Sequence, residues 1–250
     1  TVFIIFDEFF KNEIEYFKKQ LQNEGIYVSD CCLGIQIKLE KTDVDIINEE
    51  GYILDITEKD ITIKARTCKG IFYGFQSLVQ LISNSPKKGN PAVLEIPTVS
   101  IVDSPFKSVR GVHIYVPPRK EIEWFKRFID FLARYKYNTI YMEIGAAVKF
   151  DSHPEINEAW ENFCKEMLVF PGGPDGRGMQ LSMGHFKDSV HIENGGCSYL
   201  EKSEFLELVD YMMQRHMEII PEVQALSHAY WMLIPHKECA ERQDDPYPDT

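Results

Sequence analysis

The chain has 250 residues, of which 44% are hydrophobic, 12% aromatic and 26% charged; this balance is typical of a globular protein and excludes a disordered one. The formal net charge is −12 at pH 7, so the overall field repels phosphate backbones and we expect no nucleic-acid partner. No apolar run approaches the roughly 20 residues of a membrane-spanning helix, which excludes membrane insertion by that route.

The first hundred residues predict an α+β domain. The predicted elements are, in chain order, a strand at 2–6, an amphipathic helix that stops at Gly25, a half-buried strand in "IQIKLE", a hairpin in "YILDITEKDITIKA" and a helix with one apolar face over 71–82. The polar stretch "SNSPKKGNPAVLEIP" then indicates the exit from this unit. We expect one domain at 1–100 and a second at 101–250.

The second half alternates strands with helices. The predicted elements are, in order, a strand in "RGVHIYV", a helix in "KEIEWFKRFIDFLARYKYN", a strand in "TIYMEI", a long loop at 147–199 that includes a helix in "HPEINEAWENFCKEML", a helix in "EFLELVDYMMQRH" and a strand in "EIIPEV". This alternation predicts parallel pairing in an α/β sheet or barrel. An eight-fold barrel needs about 250 residues, so either the sheet is small or the chain holds only the first part of a barrel.

Polar and aromatic residues follow the predicted parallel strands, where α/β proteins place their reacting groups. The candidates are Arg119 after the first strand, Glu143 at the end of the second, and Glu222, Gln224, His228 and Trp231 after the third. Alternatives stay open at this point. Arg119 is also consistent with a purely structural place in the first turn of a helix. His228 is also consistent with a buried histidine whose nitrogens have hydrogen-bond partners. Glu143 lies in an apolar strand, so burial demands a partner, either in a site or in a core ion pair.

The six cysteines include no C-x-x-C pair, which argues against a zinc knuckle or a thioredoxin-type site. They indicate free thiols and slightly favour a cytoplasmic location over a secreted one. The chain opens at Thr1 without a signal-like segment, which agrees with a missing upstream part. His185 and His191 show no familiar ligand spacing, so we expect no metal and no other cofactor.

Four segments resemble glycoside hydrolase family 20, the β-N-acetylhexosaminidases, in order and spacing. They are "KGIFYGFQSLVQLI", "SVRGVHIYVPPR", "FIDFLARYKYNTIYMEI" and "QRHMEIIPEVQALSH". The most specific element is the I-P-E run from Ile220 to His228, in which Glu222 and His228 keep the places they have in the family. The resemblance implies a small α+β domain followed by a (β/α)8 barrel, of which this chain holds about three units.

The resemblance also implies a chemistry. In this family the 2-acetamido oxygen of the substrate attacks the anomeric carbon, with retention of configuration, and a glutamic acid protonates the leaving oxygen. An adjacent Asp-Glu pair at the end of the fourth barrel strand orients the acetamido group and supplies the proton. The Asp-Glu step of this chain, Asp7-Glu8, closes the first strand of the small domain, where helix capping explains it. We therefore expect the catalytic pair outside these residues, in a longer enzyme.

Several positions depart from the family pattern. Tyr115 stands where an Asp is usual on the first barrel strand, and the substrate-gripping arginine is displaced by one residue to Arg119. Ala146 cannot replace the Asp that usually assists the histidine, and Gln224 stands for another usual Asp.

Two function hypotheses follow. The first is a glycosidase acting on terminal β-linked N-acetylhexosamine, with His228 in a supporting role and Arg119, Glu143, Glu222 and Trp231 binding the sugar. The second is a non-catalytic carbohydrate-binding or scaffolding protein on the same fold. An unrelated hydrolase with a serine nucleophile lacks its G-x-S-x-G motif. Three barrel strands leave two open edges, which predicts self-association of this chain.

Overall fold

The computed structural model describes residues 1–42, 48–88, 93–169, 191–245 and 248. The chain divides into two compact units. The first comprises Thr1–Arg110 with Phe131–Tyr137, and the second comprises Gly111–Asp130 with Asn138–Thr250.

The first unit is built on a five-stranded mixed sheet. Its elements are, in chain order, β1 (Val2–Phe6), a 3-10 helix (Glu8–Glu13), α1 (Ile14–Asn23), β2 (Ile35–Lys41), β3 (Tyr52–Ile56), β4 (Asp60–Ala65), α2 (Cys68–Asn84), the paired short strands β5 (Lys87–Lys88) and β6 (Val93–Leu94), and β7 (Val99–Asp103). The strands of the large sheet lie in the order β1-β2-β4-β3-β7. β1, β2 and β4 run parallel, whereas β3 runs antiparallel to β4 and β7.

Helix α2 packs closely on this sheet and forms much of the core of the first unit. Thr67 caps its first turn by accepting a hydrogen bond from the backbone N–H of Gly70. A Cβ atom at Gly70 would lie 2.4 Å from the carbonyl oxygen of Gly51, so a glycine is required at this close approach. The Phe75 ring stacks on Phe17 of α1, with ring centroids 3.9 Å apart. The apolar faces of both helices thus meet in one core.

Five paired polar side chains, most of them partly buried, form what we call the polar network of the first unit: Glu50, Tyr52, Asp103, Arg110 and Lys136. The Lys136 ammonium donates to the Tyr52 hydroxyl at 2.8 Å and to the Asp103 carboxylate at 3.0 Å. Arg110 Nη2 lies 2.8 Å from Glu50 Oε2, and the two side chains are only 16% and 13% exposed. Because removing an ion from water is costly, such groups are tolerated only when they are paired.

The second unit is built on three parallel strands with helices in the connections. Its elements are, in chain order, β8 (Gly111–Tyr115), a 3-10 helix (Arg119–Glu121), α3 (Ile122–Arg134), whose last turn belongs to the first unit, β9 (Thr139–Glu143), a 3-10 helix (Gly145–Ala147), α4 (Pro154–Val169), a 3-10 helix (Asn194–Gly196), α5 (Lys202–Met213), β10 (Glu218–Glu222), α6 (Tyr230–Leu233) and a 3-10 helix (Lys237–Cys239). The strands lie in the order β8-β9-β10. Each strand pairs in parallel with the next strand along the chain, as successive strands do in a (β/α)8 barrel.

A separate apolar cluster joins α4 to α6 in the second unit. Its largest members are Trp160, Phe163, Met167, Tyr230 and Trp231. The Phe163 and Tyr230 rings stack with centroids 5.3 Å apart. This cluster ties the connection after β9 to the connection after β10.

The predicted fold class is confirmed in both units. The predicted hairpin is the antiparallel pair β3 and β4, and the predicted alternation gives the parallel strands β8, β9 and β10. Strand β7 is not among the predicted elements, and it spans the boundary expected near residue 100. The first compact unit extends to Arg110.

The longest helix in the described ranges is α2, with 17 residues. None of the described helices is long and apolar enough to cross a membrane.

Candidate functional site

The carboxyl ends of the three parallel strands carry side chains at matching positions. Tyr115 on β8, Glu143 on β9 and Glu222 on β10 are successive register partners. Side chains at matching register in a sheet point to the same face. The structure therefore brings Glu143 and Glu222, both predicted site residues, together on one rim.

Glu143 is buried and has a histidine partner. Its side chain is only 4% exposed, and both carboxylate oxygens lie 2.9 Å from Nδ1 of His191. An ionised carboxylate only accepts hydrogen bonds, so Nδ1 of His191 carries the proton. Nε2 of a neutral His191 is then an acceptor. The partner that burial of Glu143 demands is thus supplied from the long loop.

Glu222 is more open than Glu143 and is bridged to it by Gln224. Nε2 of Gln224 donates to Glu222 Oε1 at 2.7 Å and to Glu143 Oε2 at 3.3 Å. The other oxygen of Glu222 lies 2.8 Å from His113 Nε2, and the two side chains are 39% and 49% exposed. An amide at position 224 links two carboxylates, whereas an aspartate there would add a third negative charge.

His228 stacks on His191. The two imidazole centroids lie 4.2 Å apart, with the rings 10° from parallel. Both residues adopt positive φ values, 48° for His191 and 55° for His228. Such conformations are uncommon outside glycine and carry strain of about 1–3 kcal/mol each, which typically clusters at functional sites. His228 therefore packs against the histidine that binds Glu143.

Trp231 supports the rim from the apolar cluster. Its ring is stacked on Phe150, with centroids 5.8 Å apart, and the residue is only 8% exposed. Its indole Nε1 donates to the backbone carbonyl of Gln224 at 3.2 Å. The structure gives Trp231 a contact that positions Gln224, and the sugar contact predicted for it stays a prediction.

Arg119 is engaged by another side chain. Its guanidinium donates to both carboxylate oxygens of Glu204, at 2.7 and 2.8 Å, and to the backbone carbonyl of Tyr199 at 3.2 Å. Glu204 also accepts from the backbone N–H of Glu201 in the capping box of α5. The hydrogen bond with Glu204 raises the pKa of Arg119, and the same contact lowers the pKa of Glu204. The structure does not join Arg119 to the Glu143–Glu222 group.

Asn194 fixes the ends of two strands beside the rim. Its side-chain oxygen accepts from the backbone N–H of Val116 at 3.1 Å, and its amide donates to the carbonyl of Ile144 at 3.2 Å. The residue is 2% exposed. This side chain therefore connects the segments that follow β8 and β9.

We call the polar group at the strand ends the rim cluster, with these members: His113, Glu143, His191, Glu222, Gln224 and His228. His113 and His191 are not among the predicted site residues. His113 has a sequence signal, because it alternates with Tyr115 on one strand and so shares its face. His191 has only an indirect signal, the need of Glu143 for a partner. His185 lies outside the described residues.

The rim cluster suits a polar, neutral ligand. It offers carboxylate oxygens as acceptors, imidazole nitrogens that donate or accept, and a tyrosine ring, Tyr115, whose centroid lies 5.4 Å from that of His191. Glu222 and His113 are half-exposed while their partners hold them in place. Sugar hydroxyls both donate and accept, so this arrangement fits a carbohydrate ring.

The Asp7-Glu8 step has the structural role expected for it. Asp7 accepts from the backbone N–H of Phe9 at 3.1 Å at the start of a 3-10 helix, and Glu8 pairs with Lys11 at 2.8 Å. Both residues lie in the first unit. This carboxylate pair is a helix cap.

Two family models match the chain. Domain 2 of glycosyl hydrolase family 20 matches residues 4–104, and the catalytic domain of the same family matches residues 110–248. Among curated proteins, a beta-hexosaminidase of Porphyromonas gingivalis is 27% identical over 208 residues, covering 80% of this chain and 24% of the relative. The N,N'-diacetylchitobiase of Vibrio harveyi is 26% identical over 194 residues, covering 74% of this chain and 20% of the relative. The chain thus spans about a quarter of these relatives or less.

Solved structures share the fold. An inactive mutant of the exo-β-N-acetylglucosaminidase from Vibrio harveyi superposes with a TM-score of 0.71 at 20% identity, over 98% of this chain and 36% of that one. A mutant Streptomyces plicatus beta-hexosaminidase in complex with the product GlcNAc gives a TM-score of 0.67 at 23% identity, over 95% of this chain and 44% of that one. The two family models together match most of the chain and lead to one assignment. The chain belongs to glycosyl hydrolase family 20.

Proposed function

We propose that this chain forms part of a glycosidase that removes terminal β-linked N-acetylhexosamine by substrate-assisted, retaining hydrolysis. The observation that carries the proposal is the alignment of Tyr115, Glu143 and Glu222 at the ends of three parallel strands. Relatives named beta-hexosaminidase and N,N'-diacetylchitobiase support the substrate class.

In this proposal Glu222 is the main sugar-binding acceptor of the rim cluster. It is held on one side by Gln224 and on the other by His113, yet keeps 39% of its side chain exposed. A carboxylate oriented in this way accepts a hydroxyl hydrogen bond without first having to be ordered. Glu143 and His191 lie behind it and fix Gln224 and His228. The predicted sugar-binding roles of Glu143, Trp231 and Arg119 remain part of the proposal.

The chemical step implied by the resemblance needs an adjacent Asp-Glu pair, and the rim cluster has instead two glutamates on separate strands. During hydrolysis the acetamido oxygen bonds to the anomeric carbon while the glycosidic C–O bond breaks, and an acid gives its proton to the leaving oxygen. The only adjacent Asp-Glu step of the sequence is the helix cap at Asp7. We infer that residues other than the rim cluster and the Asp7-Glu8 step supply the acid and the carboxylate that orients the acetamido group.

An aryl N-acetyl-β-glucosaminide tests the proposal. The full-length protein should release the aryl alcohol, and the 250-residue chain alone should not. Glu222→Gln in the full-length protein should lower kcat/KM, whereas Glu218→Gln, at the other end of β10, should not. Activity of the 250-residue chain alone would refute the inference about the catalytic pair.

The second candidate function is carbohydrate binding without hydrolysis. It is favoured by Gln224, Tyr115 and Ala146, which stand where family members usually have other residues. A full-length protein that binds N-acetylglucosamine in calorimetry but hydrolyses no aryl glycoside would establish this function. Absence of both binding and hydrolysis would remove both candidates.

We also propose that the 250-residue chain associates with itself. In the described part of the chain, the outer edges of β8 and β10 pair with no further strand. Two large apolar residues after β10 are also exposed to solvent, Val223 at 57% and Leu226 at 89%. Unpaired strand edges and exposed apolar surface promote association. Light scattering that shows a monomer at all concentrations would contradict this proposal.

A further inference from the structure

Two histidines and a glutamate from separate parts of the sequence meet in the second unit. His153 directly precedes α4, Glu155 lies in the first turn of α4, and His236 follows α6. Each offers one ligand atom, and these three atoms all lie within 4.8 Å of one another. In the sequence, 81 residues separate Glu155 from His236. The group therefore exists only in the folded chain.

The distances are close to those of a metal site. Glu155 Oε1 lies 2.8 Å from His153 Nδ1 and 3.3 Å from His236 Nε2. In tetrahedral zinc sites, with bonds of about 2.0–2.1 Å, neighbouring ligand atoms are about 3.3 Å apart. A zinc ion therefore fits among the three atoms after small shifts of the side chains.

Glu238 provides an independent observation. Its Oε1 lies 3.0 Å from Nδ1 of His236, the ring nitrogen that does not face Glu155. A carboxylate only accepts, so Nδ1 of His236 donates to Glu238, and Nε2 is left as the nitrogen that can bind a metal when the ion replaces its contact with Glu155. Histidines that bind zinc typically donate their second nitrogen to a carboxylate, which fixes the tautomer and the ring orientation. His236 is thus held by Glu238 with Nε2 toward Glu155.

We propose that His153, Glu155 and His236 bind a zinc ion, with a water molecule as the fourth ligand and Glu238 as a positioning residue. Two imidazoles and one carboxylate suit zinc, whereas calcium and magnesium require more oxygen ligands. This site departs from the sequence expectation of no metal. The sequence could not reveal it, because its ligands come from two distant segments without a familiar spacing.

The ion would join two segments that carry aromatic parts of the second unit. His153 follows Phe150 in the connection to α4, and His236 follows the helix that contains Trp231. The Phe150 and Trp231 rings are already stacked. A ligand that binds only the folded chain stabilises it by an amount that rises with the logarithm of the ratio of its concentration to its Kd. Zinc therefore acts here as a structural clamp on this stacked pair.

Titration of zinc chloride into the chelator-treated, metal-free protein tests the site. Because Cys31, Cys32 and Cys239 are exposed free thiols and thiolates are good zinc ligands, the titration is made in a background with all three changed to Ser. Calorimetry should show one zinc per chain, and zinc should raise Tm. His236→Gln should weaken binding at least tenfold, and Glu238→Gln about tenfold with the stoichiometry unchanged.

His216→Asn is the matched control. His216 follows α5 with a φ of 57°, a backbone conformation that Asn also tolerates. Zinc affinity should be unchanged in this variant. No binding to the background protein, or binding that survives His236→Gln unchanged, would overturn the proposal.

Discussion

In the polar network of the first unit, Arg110 and Glu50 are only 16% and 13% exposed. In the rim cluster of the second unit, His113 and Glu222 form an equally short pair but are 49% and 39% exposed. Both pairs have an N···O distance of 2.8 Å. The same contact therefore occurs in two environments, and the environment decides what it does.

In a largely buried pair each partner compensates the desolvation of the other, so removing one partner lowers the stability strongly. An exposed pair between solvated groups contributes little to stability, typically about 0–1 kcal/mol. What the exposed pair does is fix the orientation of groups that a ligand can still reach. The comparison thus predicts that changes in the first unit alter stability and that changes at Glu222 alter binding.

The largest expected effect comes from Arg110. Arg110→Met removes the partner of Glu50, so we expect the free energy of unfolding to fall by about 3 kcal/mol in urea denaturation. Lys11→Met is the control, since Lys11 forms an exposed pair with Glu8 in the same unit; its effect should stay within about 0.5 kcal/mol. A loss below about 1 kcal/mol for Arg110→Met would show that the Arg110–Glu50 pair contributes no more to stability than an exposed pair does.

Glu222→Gln should have the next largest effect, on binding instead of stability. Loss of the charged acceptor should weaken binding of N-acetylglucosamine to the full-length protein by about 1.5 kcal/mol, roughly tenfold in Kd. The free energy of unfolding should change by less than about 0.5 kcal/mol. Calorimetric titration and urea unfolding of the same preparation give both values. A large loss of stability with unchanged affinity would show that Glu222, like Arg110, contributes to stability and not to binding.

Most of the fold could be predicted from the sequence, because it depends on local periodicity. Alternation of apolar residues every second position predicts β3 and β4, and apolar residues at helical spacing predict α2 and α3. Strand β7 escapes prediction because its place in the sheet depends on pairing with β3, about 50 residues earlier.

The site could be predicted only in part. Glu143 and Glu222 could be predicted as site residues because they lie at the ends of predicted parallel strands. His191 lies 48 residues from Glu143 in an irregular loop, and no local pattern links the two residues. The contact of Arg119 with Glu204 spans 85 residues. Contacts of this kind depend on how the loops close, which the periodicity of the sequence does not encode.

A smaller effect should appear when the first unit is acidified. Burial raises the pKa of Asp103, but hydrogen bonds from Tyr52 and Lys136 outweigh it, so the pKa lies below its usual value. A carboxyl group with a lowered pKa in the folded state stabilises it above the unfolded pKa of about 3.9 and ceases to do so as pH falls through the folded pKa. Unfolding free energy should therefore decrease below about pH 4, and less steeply in Asp103→Asn. Parallel pH profiles for the two proteins would contradict the assigned pairing.

Arg119 should give the smallest effect, and its variants separate two roles. The Arg119 side chain is 54% exposed, and its guanidinium is held by Glu204 of the α5 capping box. Lysine keeps the charge but cannot reproduce the two parallel hydrogen bonds. If Arg119 braces α5, Arg119→Lys and Glu204→Gln should each lower the unfolding free energy by about 0.5 kcal/mol or less, because solvent screens the pair.

Under this bracing role, which the contact with Glu204 favours, neither variant should change the affinity of the full-length protein for N-acetylglucosamine more than about twofold. The sugar-binding role predicted from the sequence gives the opposite pattern. A guanidinium that contacts sugar must first leave Glu204, so Glu204→Gln would free it and preserve or strengthen binding, while Arg119→Lys would weaken binding about tenfold. Titrating both variants with the same sugar therefore decides whether Arg119 belongs with the rim cluster or with the start of α5.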